Sequence, residues 1–202
     1  MRVVITGGPS VGKTTLVQTL EKRGYRVVHE IATQLIKEGK FLPWEDRGKF
    51  QAEVLRRQLE IESSLLEFDR ITFLDRGAFD GEAYYRVDEL PIPPTFSMVD
   101  PSQYDMAFLV EPLPFFDANE VRREDLEFTE KITGMIERCY RERNIKVLKV
   151  PFMAPDDRVN YILAEVERHK NRKVNSAEQA ALMFRVNSAT VPGMSTASVV
   201  TS

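Results

Sequence analysis

A chain of 202 residues is long enough for one compact domain with a sizeable core, and its length does not favour two. A net charge of −3 and a pI near 5.6 argue against a nucleic-acid-binding protein, because such proteins present an excess of lysine and arginine on one face. The composition therefore favours a small-molecule partner over a polyanion.

Two features of the sequence bear on where the protein works. The chain enters an apolar strand at once, without the basic and apolar regions of a signal peptide, and no apolar run reaches the length of a membrane span. We therefore expect a cytoplasmic location, where ATP and Mg²⁺ are available. The single cysteine, Cys139, lies among apolar residues at helical spacing, which predicts a buried thiol.

Apolar strands and amphipathic helices alternate along the chain from residue 2 to about residue 169. Short β-branched runs bounded by turn residues predict strands, and apolar residues at spacings of three, four or seven predict helices. The predicted strands are Arg2 to Thr6, Tyr25 to His29, Ile71 to Leu74, Met106 to Val110 and Ile145 to Val150. The predicted helices are Lys13 to Lys22, Ile31 to Glu38, Arg47 to Phe68, Gly77 to Tyr85, Phe128 to Tyr140 and Asp156 to His169, of which the third is the longest.

Two segments interrupt this alternation. Four prolines between Leu90 and Pro101 exclude a helix or a central strand and predict a long exposed loop, the kind of segment that often serves as a lid. Beyond Lys170 the apolar periodicity fades, which predicts a short helix around Ser176 to Phe184 and then disorder from Val186 to Ser202. The predicted domains are residues 1–170 and a C-terminal tail, residues 171–202.

The sequence GGPSVGKTT, between the first strand and the first helix, matches the phosphate-binding pattern G-x-x-x-x-G-K-S/T in full. Its glycines let the backbone curl so that N–H groups point inward around phosphate oxygens. Lys13 is expected to reach the β- and γ-phosphates, and the Thr14 hydroxyl to bind the accompanying Mg²⁺. The residues expected to contact the nucleotide are Gly8, Pro9, Ser10, Val11, Gly12, Lys13, Thr14 and Thr15.

A phosphate-binding loop directly after the first strand of an alternating β/α chain is the layout of the P-loop NTPases. We therefore predict an α/β fold, a three-layer sandwich with a five-stranded parallel sheet flanked by helices. A kinase-like strand order, with the third strand beside the first, is expected. Ligands of such sheets bind at the carboxyl ends of the strands, so the residues that follow the strands are the candidates for chemistry.

Acidic residues end three of the predicted strands. Asp75 follows four apolar residues, as a Walker B acid does, and is expected to hold Mg²⁺ directly or through water; a helix N-cap is the alternative. Glu111 competes for the same role, but a third strand adjoining the first favours Asp75. Glu30 ends the second strand and is a candidate general base, with a solvated carboxylate at a helix start as the alternative.

Several arginines are placed to offset phosphate charge. Arg76 directly follows Asp75 and is a candidate clamp for the acceptor or for the transferred phosphoryl group, with an ordinary salt bridge as the alternative. Arg122 and Arg123 lie where small-molecule kinases often carry lid arginines, although a charged helix start has a similar sequence. Arg158 is a candidate to stack on adenine, with a surface role equally open. Aromatic candidates for a heterocycle pocket, or for the core, are Trp44, Phe79, Tyr84 and Tyr85.

Several segments together resemble the NadR-like AAA-type ATPase family. They are the loop GGPSVGKTT, VVHEIATQLIKEG, ITFLDRGAFDGEAYY, the region with Asp117 and Arg122, and DDRVNYIL. The resemblance covers about residues 1 to 168. That family includes the nicotinamide riboside kinase domain of the bacterial NadR regulator and a eukaryotic branch described as binding GTP and phosphoinositides.

The resemblance implies roles for six residues. Lys13 and Thr14 are expected to bind phosphate and Mg²⁺. The segment Leu90 to Pro101 carries no signature of a particular acceptor. The implied acidic pair is Glu30 and Asp75, and the implied phosphate-facing cations are Arg76 and Arg122.

Three functions are consistent with these residues. The first is a kinase that transfers the ATP γ-phosphoryl group to a hydroxyl of a small acceptor, of the nucleoside type, with Glu30 or Asp75 as base. The second is a nucleotide-dependent regulatory switch with a protein or phosphoinositide partner, for which the proline-rich segment and the unusual tail are the motives. The third is a nucleotide-binding protein without turnover. The guanine-specific sequence N-K-x-D is absent before the fifth strand, which favours ATP over GTP without settling the choice.

Overall fold

Strands from the whole length of the chain form one parallel sheet in a computed structural model that describes residues 1–65, 70–111 and 120–189. The side chains of residues 120–125, 177 and 180–189 lie outside that description. The strands are β1 (Arg2–Thr6), β2 (Arg26–Val28), β3 (Thr72–Asp75), β4 (Met106–Val110) and β5 (Val147–Val150).

The strand order is β2-β3-β1-β4-β5, which confirms the prediction that the third strand lies beside the first. Strands β1, β3 and β4 are almost entirely buried apolar runs, as expected for parallel strands covered by helices on both faces. Ile5 of β1 pairs with Asp75 of β3, so the carboxyl ends of these strands lie side by side. This register brings the loop after β1 next to the residues that follow β3.

The helices cover the sheet and complete the predicted three-layer α/β fold of the P-loop kind. Helix α1 packs on β1, β2 and β3, while α4 packs between α3 and α6, and α6 also contacts β4 and β5. Cys139 on α6 is fully buried in the larger apolar cluster, as predicted. The helices are α1 (Lys13–Lys22), α2 (Ile31–Glu38), α3 (Arg47–Ser64), α4 (Ala78–Val87), α5 (Thr95–Met98), α6 (Glu120–Arg141) and α7 (Pro155–Ala189).

The chain divides into two compact units, Met1–Ile162 and Leu163–Ser202. The first unit contains the sheet and every candidate site residue. The described part of the second unit is the length of α7 from Leu163 to Ala189. The predicted domain limit at residue 170 falls inside this helix, where the secondary structure does not change, and the domain limits stay a prediction. In the described part of the chain, no helix is both long and apolar enough to cross a membrane.

Several predicted helix limits are wrong. Helix α6 starts at Glu120 rather than Phe128, because its charged first turns consist largely of good helix formers despite their weak apolar pattern. Helix α7 continues to Ala189 without the expected break, and at 35 residues it is longer than α3, which was predicted to be the longest. Helix α3 ends at Ser64. The disorder predicted from Val186 is wrong as far as Ala189, because α7 includes these residues. The rest of that prediction, from residue 190 onward, and the predicted helix end at Phe68 lie outside the described residues.

The proline-rich segment is largely exposed, as its composition predicts, but it is not a continuous loop. It contains the short helix α5, which Pro94 precedes as N-cap, and a 3₁₀ turn over Pro101–Gln103. Proline is tolerated at such positions because the first N–H groups of a helix have no partner within the helix. Phe96 of α5 is 2% exposed and makes an edge contact with Tyr85, with ring centroids 5.7 Å apart. This contact anchors the segment to α4.

Candidate functional site

The loop after β1 and the start of α1 provide backbone N–H groups and one ammonium group at the same site. Gly12 has a left-handed backbone conformation (φ 93°) and starts α1 without any side-chain cap, and the first turn of α1 has no acidic residue. The free N–H groups at the start of α1 and the positive end of the α1 dipole are therefore available to an anion. The Thr14 side chain is exposed and lines the cavity at this point.

Gly8 has a supporting position in the loop. Its N–H donates to the Thr133 hydroxyl at 3.0 Å, and that hydroxyl donates to the carbonyl of Thr129 on α6. A Cβ atom at this position would lie 2.7 Å from side-chain atoms of both threonines, so only glycine fits. Because its N–H already has a partner, Gly8 holds the loop against α6 and is a poorer candidate for a phosphate contact than the residues that follow it.

Lys13 lies beneath the loop with 6% of its surface exposed, and its ammonium group donates to the Gly8 carbonyl at 2.6 Å. Burial, together with the positive charge of Arg76, lowers the pKa of Lys13 from 10.5 to about 7, although nearby carboxylates act in the opposite direction. A phosphate group in the cavity would supply the counter-charge that this ammonium group lacks. The local electrostatics therefore favour an anionic ligand.

Asp75 is the last residue of β3 and is 3% exposed, with its Oδ1 atom buried and without a hydrogen-bond partner in the described part of the protein. Burial and the neighbouring Glu30 raise the pKa of Asp75 to about 6, against the effect of Arg76 and Lys13. The N-cap of α4 is Gly77, so Asp75 does not cap that helix. A buried carboxylate oxygen without a donor fits a role as a metal ligand better than a structural role.

Glu30 and Arg76 form an ion pair at the mouth of the site. The Arg76 Nε–H donates to Glu30 Oε1 at 2.5 Å, and the Thr33 hydroxyl donates to Glu30 Oε2 at 2.6 Å. Burial alone would raise the pKa of Glu30, but Arg76, the Thr33 hydroxyl and Lys13 outweigh it and hold the pKa below its ordinary value. The salt bridge considered for Arg76 is thus present, and its Nη1 also donates to the Gly7 carbonyl at 3.0 Å. Its role as a clamp for the acceptor or the transferred phosphoryl group stays a prediction.

The backbone of Arg76 adopts the left-handed region with φ 72°, which costs a non-glycine residue roughly 1–2 kcal/mol. Its N–H donates to the Ile5 carbonyl at 3.0 Å, and its carbonyl accepts from Gln58 Nε2 at 3.2 Å. The guanidinium carbon also lies 5.6 Å from the centre of the Tyr84 ring. Such conformations persist where the surroundings fix them, and they cluster at functional sites.

Two cavities meet at the Glu30–Arg76 pair. The first, of about 370 Å³, lies over the phosphate-binding loop. The second is smaller, about 60 Å³, and is bounded mainly by α2, α3 and α4, with Gln51, Val54 and Gly81 among its lining residues. Both share a wall of three residues, which are Glu30, Arg76 and Tyr84.

Arg158 is 3% exposed, which excludes the surface role considered for it. Its Nη1 donates to the Val11 carbonyl at 3.2 Å, and its guanidinium carbon lies 5.5 Å from the centre of the Phe152 ring. The Nε and Nη2 atoms of this buried guanidinium have no hydrogen-bond partner among the described residues. The structure therefore places Arg158 against the phosphate-binding loop, and adenine stacking stays a prediction.

Other predicted site residues lie away from the two cavities or outside the description. The backbones of Arg122 and Arg123 belong to the first turn of α6, which is the charged helix start considered as an alternative to a lid, and their side chains lie outside the described part of the chain. Glu111 lines neither cavity, and its carboxylate lies 3.9 Å from the Lys149 ammonium group. The aromatic candidates separate in the same way: Phe79 and Tyr85 are core residues, Trp44 is exposed, and Tyr84 lines both cavities.

Helix α3 has a polar side that its apolar spacing did not predict. A buried stripe of this helix carries Gln51, Gln58 and Glu62. Their spacing of four and seven residues places them on one helix face toward α4. The spacing of these polar residues in the sequence could have revealed this face, because polar residues that repeat along one side of a helix indicate a face that borders a polar site.

The lowered pKa of Lys13 predicts that nucleotide affinity depends on pH. Phosphate binds the protonated amine, so affinity for ADP or ATP should be highest below about pH 7 and should fall by up to tenfold per pH unit above it. For the nucleotide-free protein the sign is opposite. The unfolded state binds more protons between pH 7 and 10.5, so the contribution of Lys13 to stability rises with pH in that window.

Isothermal titration calorimetry with ADP between pH 6 and 9 would measure this dependence. The Lys13→Arg variant is the matched control, because a guanidinium stays charged over the whole range and its affinity should have no corresponding slope. An equal slope in both proteins would show that another group is responsible.

No group of three or more histidine, cysteine, aspartate or glutamate residues in the described ranges is arranged to hold a metal ion by itself. A Mg²⁺ ion that is bound together with a nucleotide takes only one or two protein ligands and obtains the others from phosphate oxygens and water. The exposed Thr14 hydroxyl and the unpartnered Asp75 oxygen are of the required chemical type.

Several solved structures share this architecture. The NadR protein in complex with NR is 20% identical with a TM-score of 0.62, and the match covers 83% of this chain and 50% of that one, so the chain spans about half the length of NadR. Deoxyadenosine kinase from M. mycoides with bound dATP is 12% identical with a TM-score of 0.53, covering 83% of this chain and 100% of the kinase. Shikimate kinase from Aquifex aeolicus is 15% identical with a TM-score of 0.52, covering 84% and 98%. At these identities the likeness shows the fold.

Sequence comparison gives the family. A search of curated proteins found no match. A family model described as an AAA domain matches residues 2–158, which contain the phosphate-binding loop and the residues of both cavities. The match extends over more than half of the chain and agrees with the resemblance to NadR-like proteins that the motifs indicated. The chain belongs to the AAA domain family.

Proposed function

We propose that the protein is a small-molecule kinase that transfers the γ-phosphoryl group of ATP to a hydroxyl group of a nucleoside-type acceptor. One observation carries this proposal: Glu30 and Arg76 lie on the wall that the loop cavity shares with a second, mostly apolar cavity. A protein that only binds or hydrolyses a nucleotide does not need the second cavity. A phosphotransferase needs two adjoining sites with polar groups between them.

The first cavity is the proposed donor site. Backbone N–H groups at the start of α1 and the Lys13 ammonium group would surround the β- and γ-phosphates, as the phosphate-binding motif requires. Thr14 and Asp75 would hold Mg²⁺, which neutralises phosphate charge when bound. Arg158, buried against the loop with two unpartnered guanidinium nitrogens, would contact the nucleoside part of ATP.

The second cavity is the proposed acceptor site. Its lining combines apolar surface from Ile31 and Val54, the amide of Gln51, and Gly81. At its mouth the carboxylates of Glu30 and Asp80 both pair with Arg76. NadR in complex with NR and deoxyadenosine kinase with bound dATP are similar in fold, which supports a nucleoside-type acceptor.

In the proposed reaction the acceptor oxygen forms a bond to the γ-phosphorus, and the bond between that phosphorus and the β–γ bridging oxygen breaks. The hydroxyl proton passes to a carboxylate oxygen of Glu30, and ADP leaves. The low pKa of Glu30 makes it a weak base, but a loose phosphoryl-transfer transition state requires little proton abstraction before the bond to the leaving group breaks. Glu30 is preferred to Asp75 as base because Glu30 lines both cavities, whereas Asp75 is not among the residues that line the proposed acceptor site.

A screen for ATP-dependent phosphorylation tests the proposal. The protein would be incubated with ATP and Mg²⁺ and, one at a time, purine, pyrimidine and pyridine nucleosides and small polyols, while ADP formation and the phosphorylated product are followed by mass spectrometry. Acceptor-dependent ADP formation with a matching product supports a kinase. Slow ADP formation that no acceptor accelerates contradicts it and points to the regulatory switch.

Two observations favoured a regulatory switch, namely the proline-rich segment and the C-terminal tail. The proline-rich segment considered as a binding loop is packed against α4 through Phe96 and Tyr85. The other motive, the C-terminal tail, lies beyond residue 189 outside the described part of the chain. No feature of the described residues favours a protein or phosphoinositide partner over a small acceptor.

A further inference from the structure

Asp80, in the first turn of α4, is a buried carboxylate that neither the sequence motifs nor the proposed reaction uses. It is 2% exposed and accepts four hydrogen bonds. Its Oδ2 accepts from the Gly77 N–H at 3.0 Å and from the Tyr140 hydroxyl at 2.7 Å. Its Oδ1 accepts from the Thr6 hydroxyl and from Arg76 Nη1, the latter at 3.1 Å.

These bonds surround Arg76 on three sides. Glu30 binds the Nε–H, while the Gly7 carbonyl and Asp80 share Nη1. Among the described residues, the hydrogen bonds of the Arg76 side chain involve Nε and Nη1 but not Nη2. The guanidinium lines both cavities, so a ligand there would meet a donor whose other sides are already fixed.

We infer that Asp80 is a positioning residue that fixes the Arg76 guanidinium so that its Nη2 group donates to an oxygen of the γ-phosphoryl group. The inference rests on the proposed function in one respect, namely that a nucleoside triphosphate occupies the loop cavity. Asp80 lines the second cavity but not the donor site, and it acts on the donor site through Arg76. Its anchors, Thr6 at the end of β1 and Tyr140 on α6, are both fully buried and tie the arginine to the sheet and to α6.

A capping role alone does not explain Asp80. The bond from the Gly77 N–H to Oδ2 caps α4 and requires one carboxylate oxygen. The other oxygen accepts from Thr6 and from Arg76, so the carboxylate is also bonded to a cationic side chain that lines both cavities. The left-handed backbone of Arg76 is a second sign that its side chain is held in place by its surroundings.

The Asp80→Asn variant separates the two roles, because the amide oxygen can still accept from Gly77 while the charge toward Arg76 is lost. Affinities for ADP and for AMP-PNP would be measured with Mg²⁺ by calorimetry. We expect the variant to bind AMP-PNP about ten- to hundredfold more weakly than the wild type and to bind ADP with unchanged affinity, since ADP lacks the γ-phosphoryl group. The matched control is Glu62→Gln, which alters another buried carboxylate, bonded to Gln58 and Tyr104 but not to the Arg76 side chain.

Nitrogen-15 NMR of the guanidinium groups supplies a readout that does not depend on a variant folding. In the wild type, the bonds to Nε and Nη1 should slow rotation of the Arg76 guanidinium and give separate Nη signals. Averaged Arg76 signals in the wild type would overturn the inference. Separate signals that merge in Asp80→Asn would support it.

Calorimetry offers a second way to overturn the inference. Equal losses of ADP and AMP-PNP affinity in Asp80→Asn, or the same selective loss in Glu62→Gln, would show that Asp80 only supports the fold. The proposed function can fail separately, because neither measurement requires phosphoryl transfer. A selective loss of AMP-PNP affinity in a protein that phosphorylates no acceptor would retain the inference and reject the kinase.

Discussion

Replacing Glu30 with glutamine is expected to lower the rate of phosphoryl transfer by about 10²- to 10⁴-fold while ADP and AMP-PNP still bind. Glutamine keeps the size and one hydrogen-bonding oxygen of the side chain but cannot take the acceptor proton. It also removes the negative charge that pairs with Arg76 at 2.5 Å. Nucleotide binding should survive, because the loop N–H groups and Lys13 are unchanged and the positive charge facing the phosphates is not reduced.

The measurement compares single-turnover transfer and calorimetric nucleotide affinity in the same preparations. Glu38→Gln is the matched control, because Glu38 ends the same helix and pairs with Arg57 away from both cavities. It should leave transfer and binding unchanged. Transfer at the wild-type rate in Glu30→Gln would reject Glu30 as the base and return that role to Asp75.

The Lys13→Ala variant is expected to lose nucleotide binding by about a hundredfold or more and, with it, all nucleotide-dependent activity. The ammonium group is the buried cation of the loop, and the motif assigns it to the β- and γ-phosphates. The nucleotide-free variant should remain folded. Because burial lowers the pKa of Lys13, its charged form is unfavourable in the empty site, and its removal does not cost the protein a stabilising ion.

Melting temperatures measured with and without ADP would distinguish lost binding from lost structure. The wild type should be stabilised by ADP, and Lys13→Ala should melt at a similar temperature in both conditions. Lys22→Ala, in the last turn of the same helix, is the control and should retain the stabilisation. A Lys13→Ala protein that ADP still stabilises to the wild-type extent would show that the loop does not bind phosphate through this residue.

Much of the fold follows from local sequence patterns. Strands β1 and β4 and helices α1 and α2 have the predicted limits, because each combines a clear apolar period with a glycine or a strand end at its boundary. Errors arose where periodicity and propensity disagree. Helix α6 and the later part of α7 are rich in helix formers without a strong apolar stripe, and α5 forms because Phe96 finds a buried contact.

By itself, the sequence determined the phosphate-binding loop, the alternation of strands and helices, and the family. These features depend on neighbouring residues along the chain, and a motif of fixed spacing specifies them. The order of the strands then placed Asp75 beside the loop, as the kinase-like arrangement predicted.

Only the tertiary structure decided how the charged groups of the site pair. It joined Arg76 to Glu30 and Asp80, placed Arg158 beneath the loop, left an oxygen of Asp75 without a donor, and put Gln51 in the wall of a second cavity. Except for Arg76 and Asp80, which are four residues apart, these groups come from distant parts of the chain, and the strength of their pairing depends on burial, which removes the water that would otherwise weaken it. No local pattern encodes which distant charge meets which, so the pairing of Arg76 with Glu30 could be found only in the folded chain.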